Sequence, residues 1–127
     1  MKEVMAIIRM EKINKTKKAL SLEGFDSMNC RKVFGRGAKK VNYELVNQLL
    51  AGEEIKSPTI AESVSEGHRL VPKRLLSLVV NDDQLEKVIK TLINVNKSGN
   101  PGDGKIFVLD ILETIRVRTG ETGEEAI

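Results

Sequence analysis

The order of hydrophobic periodicities along this chain predicts an α+β domain with a β-α-β-β-α-β order. This is a ferredoxin-like double unit, an antiparallel sheet covered on one face by two helices. Three observations carry the prediction. Short apolar, β-branched runs recur at 4–9 (VMAIIR) and 75–80 (LLSLVV). A stripe with helical period follows the second of these runs directly. Glycines and helix-start residues fall at the places where the period changes.

Residues 4–9 read as a buried strand, being short, apolar and β-branched. Asn14 can cap a helix over 15–23, with Gly24 as its stop and Ile13, Ala19 and Leu20 on its apolar side. Residues 25–34 read as a second strand and 75–80 as a third. A second helix opens at Asn81 or Asp82, where Asp82 and Asp83 suit the positive end of the helix dipole. Leu85, Val88, Ile89, Leu92 and Ile93 fall at i, i+3, i+4, i+7 and i+8, a core-facing stripe that Lys97 and Gly99 bring to an end. Residues 106–117 complete the set as a long fourth strand. The sheet face without helices still carries apolar residues, which predicts packing against other copies of the chain.

One connection breaks the pattern. Residues 35–71 separate the second and third strands, far more than the few residues most connections use. The segment opens GRGAKK and contains Val41, Leu45, Val46, Leu49 and Leu50 at helical spacing, with Tyr43 among them. Such a stripe suits either an amphipathic arm that docks on a partner or an insertion packed back on its own domain; long loops in small domains favour the arm.

With 127 residues the chain is long enough for one domain with a real core. Its 21 basic and 18 acidic residues leave a net charge of only +3, with the signs interspersed, which is not the footprint of an obligate nucleic-acid binder. Phe25, Phe34, Phe107 and Tyr43 are too few for a base-stacking sheet. Cys30 is the only cysteine and His68 the only histidine, so one chain builds neither a disulfide, nor a zinc cluster, nor a Cys–His pair. Cys30 reads as a packed strand residue, and His68, Ser63 and Ser65 as loop residues. No membrane span or signal segment is legible, which predicts a cytoplasmic protein without membrane insertion.

The chemistry concentrates in residues 99–118, GNPGDGKIFVLDILETIRVR. Gly102, Asp103 and Gly104 make a turn of little bulk whose backbone amides can approach a ligand. Lys105 follows as a point charge suited to phosphate oxygens. Arg116 and Arg118, two apart in an extended segment, project from one face. This suits a polyphosphate site or, equally, a solvated hairpin with basic residues. No general base stands beside these cations, so a regulator fits better than an enzyme, with a slow ATPase as the catalytic alternative.

Together these elements resemble the PII family of nitrogen-regulatory signal proteins. The likeness rests on GDGKIFV (102–108) and IRVRTGETGEEAI (115–127), with support from AIIR (6–9), Gly24-Phe25 and VVNDDQLEKVIKTLI (79–93). It implies a trimer of single ferredoxin-like domains, 1–127, with an extended T-loop at 35–73 that plugs into targets and a C-terminal segment at 116–127. It also implies ATP or ADP in clefts between subunits. Gly102, Asp103, Gly104 and Lys105 would line the phosphates, and Arg116 and Arg118 would reach them from a neighbouring subunit. Gly35 and Gly37 would let backbone approach the nucleotide, while Met28 and Asn29 would lie near the adenine. Glu121, Glu124 and Glu125 read most simply as a solvated tail, although the family's C-terminal segment can cover the nucleotide.

The same resemblance implies 2-oxoglutarate and Mg²⁺ as effectors, with Lys73 of Pro72-Lys73 pairing a 2-oxoglutarate carboxylate. Here the family's G-F-G-R-Q-K reads G-R-G-A-K-K, with Lys39 in the glutamine's place. An ammonium only donates and cannot ligate a hard cation. The effector site is therefore incomplete, rebuilt through another lysine, or supplied by a different chain. The loop-root arginine and the enlarged loop resemble the archaeal nitrogen-fixation subgroup. That subgroup implies a homotrimer, or a heteromer with a sister chain, acting on nitrogenase; an ammonium transporter or glutamine synthetase is the alternative target. Tyr43 lacks the R-G-A-E-Y context of the family's modified tyrosine.

Overall fold

A computed structural model of the chain describes residues 1–37 and 70–127. They form β1 (Lys2–Arg9), α1 (Ile13–Leu22), β2 (Asn29–Gly35), β3 (Val71–Val80), α2 (Leu85–Asn96) and β4 (Lys105–Asp110). This is the α+β order expected from the sequence, in one four-stranded sheet of order β2-β3-β1-β4. The chain divides into two compact units, Met1–Val33 with Pro72–Ile127, and Phe34–Val71. The first unit carries the geometry that follows.

β1 runs through the centre, antiparallel to both neighbours. Val4 lies opposite Leu78 and Val108, Ala6 opposite Leu76 and Ile106, and Ile7 opposite Leu75 and Lys105. The period of two sends Val4, Ala6 and Ile8 to the helix side, where all three are buried with Leu76, Leu78 and Val80. Leu20 of α1 and Val88 and Leu92 of α2 close the core over them. Each buried Val, Leu or Ile side chain among them contributes about 1.5–3 kcal/mol of transfer free energy. Among the described residues, no helix is long and apolar enough to cross a membrane.

The helix boundaries have local causes. Glycine at residue 24 takes φ +90°, and the Gly24 amide donates to Ser21 O (2.9 Å) while the Phe25 amide donates to Leu20 O (2.9 Å). That pair of bonds caps the carbonyls that α1 leaves open. Asp82–Gln84 form a 3-10 turn that leads into α2, and the Gln84 side chain accepts from the Asn81 amide at 3.4 Å. Asp82 also pairs with the amino terminus at 3.0 Å. Where α1 meets α2, buried Asn96 donates to Thr16 Oγ1 (3.1 Å) and to Leu92 O (2.9 Å).

Several sequence expectations are corrected. β2 begins at Asn29 rather than 25, because Phe25 is consumed by the cap of α1 and buried in the core. β3 starts earlier, at Val71. Cys30, read as packed, is exposed on β2. Ile93 of the expected stripe is 44% exposed, and Asn96 takes the buried place one turn beyond Leu92. The largest difference is the last strand. β4 ends at Asp110, and beyond it only an Ile115–Thr122 bridge remains. The apolar run of 106–117 continues past the end of β1, whose pairing with it stops at Lys2 opposite Asp110. Lys39, Lys40, Val41, Tyr43, Leu45, Val46, Leu49, Leu50, Ser63, Ser65 and His68 lie outside the described residues.

Candidate functional site

The glycine turn between α2 and β4 is built around one carboxylate. Asp103 accepts from the Ser98 hydroxyl, from the Ser98 amide (2.8 Å), from the Gly99 amide (3.0 Å) and from Arg9 Nη1. The Ser98 hydroxyl first, then the Ser98 amide and the Arg9 guanidinium, hold its carboxyl well below the usual carboxylate range. The side chain is therefore an anion that organises the turn from inside.

Arg9 ends β1, and its register partner on β3 is Lys73. Both reach the same turn. Arg9 Nη2 donates to Pro101 O (3.0 Å), and Lys73 Nζ donates to Gly102 O (2.9 Å). Gly102 and Gly104 have φ of +94° and +118°, a region that favours glycine. A Cβ on Gly104 would sit 1.9 Å from Ile7 O, so the backbone runs flush against β1. Lys105, the first residue of β4, is exposed. The amides of Gly102 and Asp103 have no hydrogen-bond partner among the described residues. An exposed turn with open amides and an adjacent lysine fits the oxygens of a phosphate group. Beside it lies a mostly apolar cleft of about 270 Å³, lined by Ile8, Leu92, Asn96 and Ile106, with Gly104 and Lys105 at its edge.

The C-terminal segment is arranged differently from the expectation. Arg116 and Arg118 do not share one face of a strand. The chain turns over 117–119, with Gly120 N donating to Arg116 O at 2.7 Å and Arg116 N to Glu121 O at 2.9 Å. The Arg116 side chain folds over this turn, 2.6 Å from Glu121 Oε2 and 2.9 Å from Glu125 O. Glu121, read from the sequence as solvated tail, is thus a partner. Arg118 is exposed.

The structure therefore brings Gly102, Asp103, Gly104, Lys105 and Lys73 to one turn. Among the described residues, no hydrogen bond or ion pair joins Arg116 or Arg118 to it. Asn29 is exposed at the start of β2, while Met28 packs against the core. Gly35 and Gly37 belong to the second unit. Sequence reasoning missed Ser98 and the anchoring role of Arg9. The available signal was a strand-end arginine and a serine just before the glycine turn, but neither spacing reveals that they meet.

Known proteins bear on this geometry. The sequence model of the family described as Nitrogen regulatory protein P-II matches residues 1–121. The chain is 44% identical over 128 residues to the nitrogen fixation nifHD region GlnB-like protein 2 of Methanobacterium ivanovii, covering 100% of this chain and 99% of that protein. It is 42% identical over 127 residues to its counterpart in Methanococcus maripaludis, covering all of both. Its fold is similar to the crystal structure of Arabidopsis thaliana PII bound to citrate, with a TM-score of 0.71 and 32% identity over 98% of this chain and 87% of the other. A glycine turn anchored to the sheet by its own aspartate thus sits on a fold and a sequence that agree along nearly the whole chain, and the protein belongs to the PII family of nitrogen regulatory proteins.

Proposed function

We propose that this chain is a nitrogen-status signal protein that binds ATP or ADP at the 98–105 turn and regulates nitrogenase through the arm at 35–73. The observation that carries the reading is the turn itself: open amides at Gly102 and Asp103, no room for a side chain at Gly104, and Lys105 exposed beside them. The relatives named for the nifHD region support nitrogenase as the target. Citrate on the Arabidopsis protein supports a small carboxylate effector, for which Lys73 is the cation at hand.

A trimer accounts for the exposed apolar surface. Phe107 and Leu109 of β4 are 47% and 42% exposed, and Leu112 and Val117 beyond it are 96% and 99% exposed. Other copies of the chain would cover them. In such an assembly Arg116 and Arg118 would approach a neighbour's nucleotide. The residues present fit a nucleotide's phosphates, and any Mg²⁺ would be held mainly by those phosphates rather than by a cage of protein carboxylates.

Calorimetry tests the nucleotide reading. Lys105→Ala removes a charge-assisted contact and should cost about 2 kcal/mol of ATP affinity, roughly thirtyfold. Unchanged affinity would place the site elsewhere. Replacing residues 41–70 with a short glycine bridge tests the output. ATP binding and assembly should persist while nitrogenase binding disappears; a bridged protein that still regulates the target removes the arm from the mechanism.

A further inference from the structure

Two cations that face each other across β1 and β3 each donate to a backbone carbonyl of one turn. Arg9 takes Pro101 O and the Asp103 carboxylate, with Ser98 Oγ at 3.3 Å, while Lys73 takes Gly102 O. A trans peptide holds its C=O and N–H on opposite sides. Drawing the Pro101 carbonyl toward Arg9 therefore turns the Gly102 N–H away from the sheet. Drawing the Gly102 carbonyl toward Lys73 does the same for the Asp103 N–H. Neither of those two amides has a hydrogen-bond partner among the described residues. A cation on each carbonyl also polarises its peptide group, which makes the opposite N–H a stronger donor.

We infer that the Arg9 and Asp103 side chains are positioning groups for anion binding at this turn: they lock its two successive peptide groups with their amides facing outward, and neither side chain contacts the anion. This rests on the reading of the turn as a phosphate site. Asp103 is essential to the arrangement because it carries Ser98, Gly99 and Arg9 at once, fixing both the entry of the turn and the guanidinium beneath it. A carboxylate placed to repel a phosphate is neutralised in place by Arg9. The pair therefore adds geometry and almost no net charge. Gly102 is part of the same device: a Cβ there would lie 3.3 Å from Arg9 Nη2 and 3.7 Å from Lys73 Nζ.

A double-mutant cycle on the full chain decides the matter, with ATP and inorganic tripolyphosphate as probes. Arg9→Gln and Asp103→Asn should each weaken binding about tenfold, and the double variant should lose little more than either single variant. Losses that multiply to a hundredfold would mean that Arg9 touches the anion independently, and the inference would be wrong. Arg9→Lys, which keeps the charge but not the forked contact to Pro101 and Asp103, should restore only part of the affinity; full recovery would also overturn it. The amide NMR shifts of Gly102 and Asp103 without ligand give an independent readout. They should move in both single variants, and to a smaller degree in the milder Ser98→Ala. Should the wild-type chain bind neither probe, the nucleotide reading fails. The shifts still judge the positioning claim, since unmoved amides in Asp103→Asn would end it.

Discussion

The 98–105 turn and the 113–127 segment both carry cations of the proposed anion site, yet they are built on opposite plans. In the turn, opposite charges are spent on each other beneath the backbone: Arg9 against Asp103, with Lys73 on a carbonyl. The open amides and Lys105 are left on the outside. In the C-terminal segment the cation is spent on its own loop, because Arg116 closes over Glu121 and the Glu125 carbonyl. On the proposed reading, the first region would meet a phosphate as it stands. The second must break an ion pair before Arg116 can contribute. A preformed site contributes affinity directly, whereas a self-paired one surrenders part of its interaction to the exchange.

The comparison breaks most readily at the glycines. Gly104→Ala places a methyl group 1.9 Å from Ile7 O, at φ +118°. It should cost about 4 kcal/mol or more of stability, because β4 must leave β1 to make room. Gly120 has φ +73° with nothing within 4 Å, so the cost of a side chain there is conformational alone. Urea unfolding of the Gly104 variant checks the first claim; a loss under 1 kcal/mol would mean the turn is not pressed on β1.

Acid provides the next test. The Asp103 carboxyl sits below its ordinary value of 3.8 in the folded chain. As pH falls through that value the unfolded chain takes up the proton first, so folding loses free energy. The Asp103 contribution is whole above 3.8 and is lost progressively below it, toward the depressed folded value. Asp110, held low by Lys2, acts in the same window. Asp103→Asn should therefore flatten, without abolishing, the fall of the urea midpoint below about pH 4. An equally steep fall in that variant would show that the turn's hydrogen bonds do not hold the carboxylate.

Smaller effects sharpen the contrast. Gly120→Ala should cost only about 1 kcal/mol, the penalty of a left-handed conformation, and should spare ATP binding at the turn. Glu121→Gln releases Arg116 from its ion pair. It should tighten ATP binding by about threefold, a fraction of the energy of an exposed pair. Weaker binding in that variant would reverse the reading, making Glu121 a support for the site.

Much of the architecture was legible because its causes are local. The β-branched runs, the helical stripe from Leu85 to Leu92 and the stop at Gly24 depend on period and on backbone freedom within a few residues. Each appeared where expected, to within a few positions. The GDGK turn was legible for the same reason, since only small residues permit its backbone. Other features depend on distant neighbours. Whether 106–117 stays a strand depended on the length of β1, which ends its pairing at Lys2 opposite Asp110. Whether Asp103 faced a ligand or the protein depended on Ser98 and on Arg9, 94 residues away. Arg116 and Arg118 took separate surroundings only because the chain turned back on Glu121. The sequence by itself determined the order of elements, the core positions and the place of the turn, since those follow from short-range period and chain stiffness. The tertiary structure alone decided which charges meet, because ion pairs and carbonyl contacts form between strands whose approach no local pattern encodes.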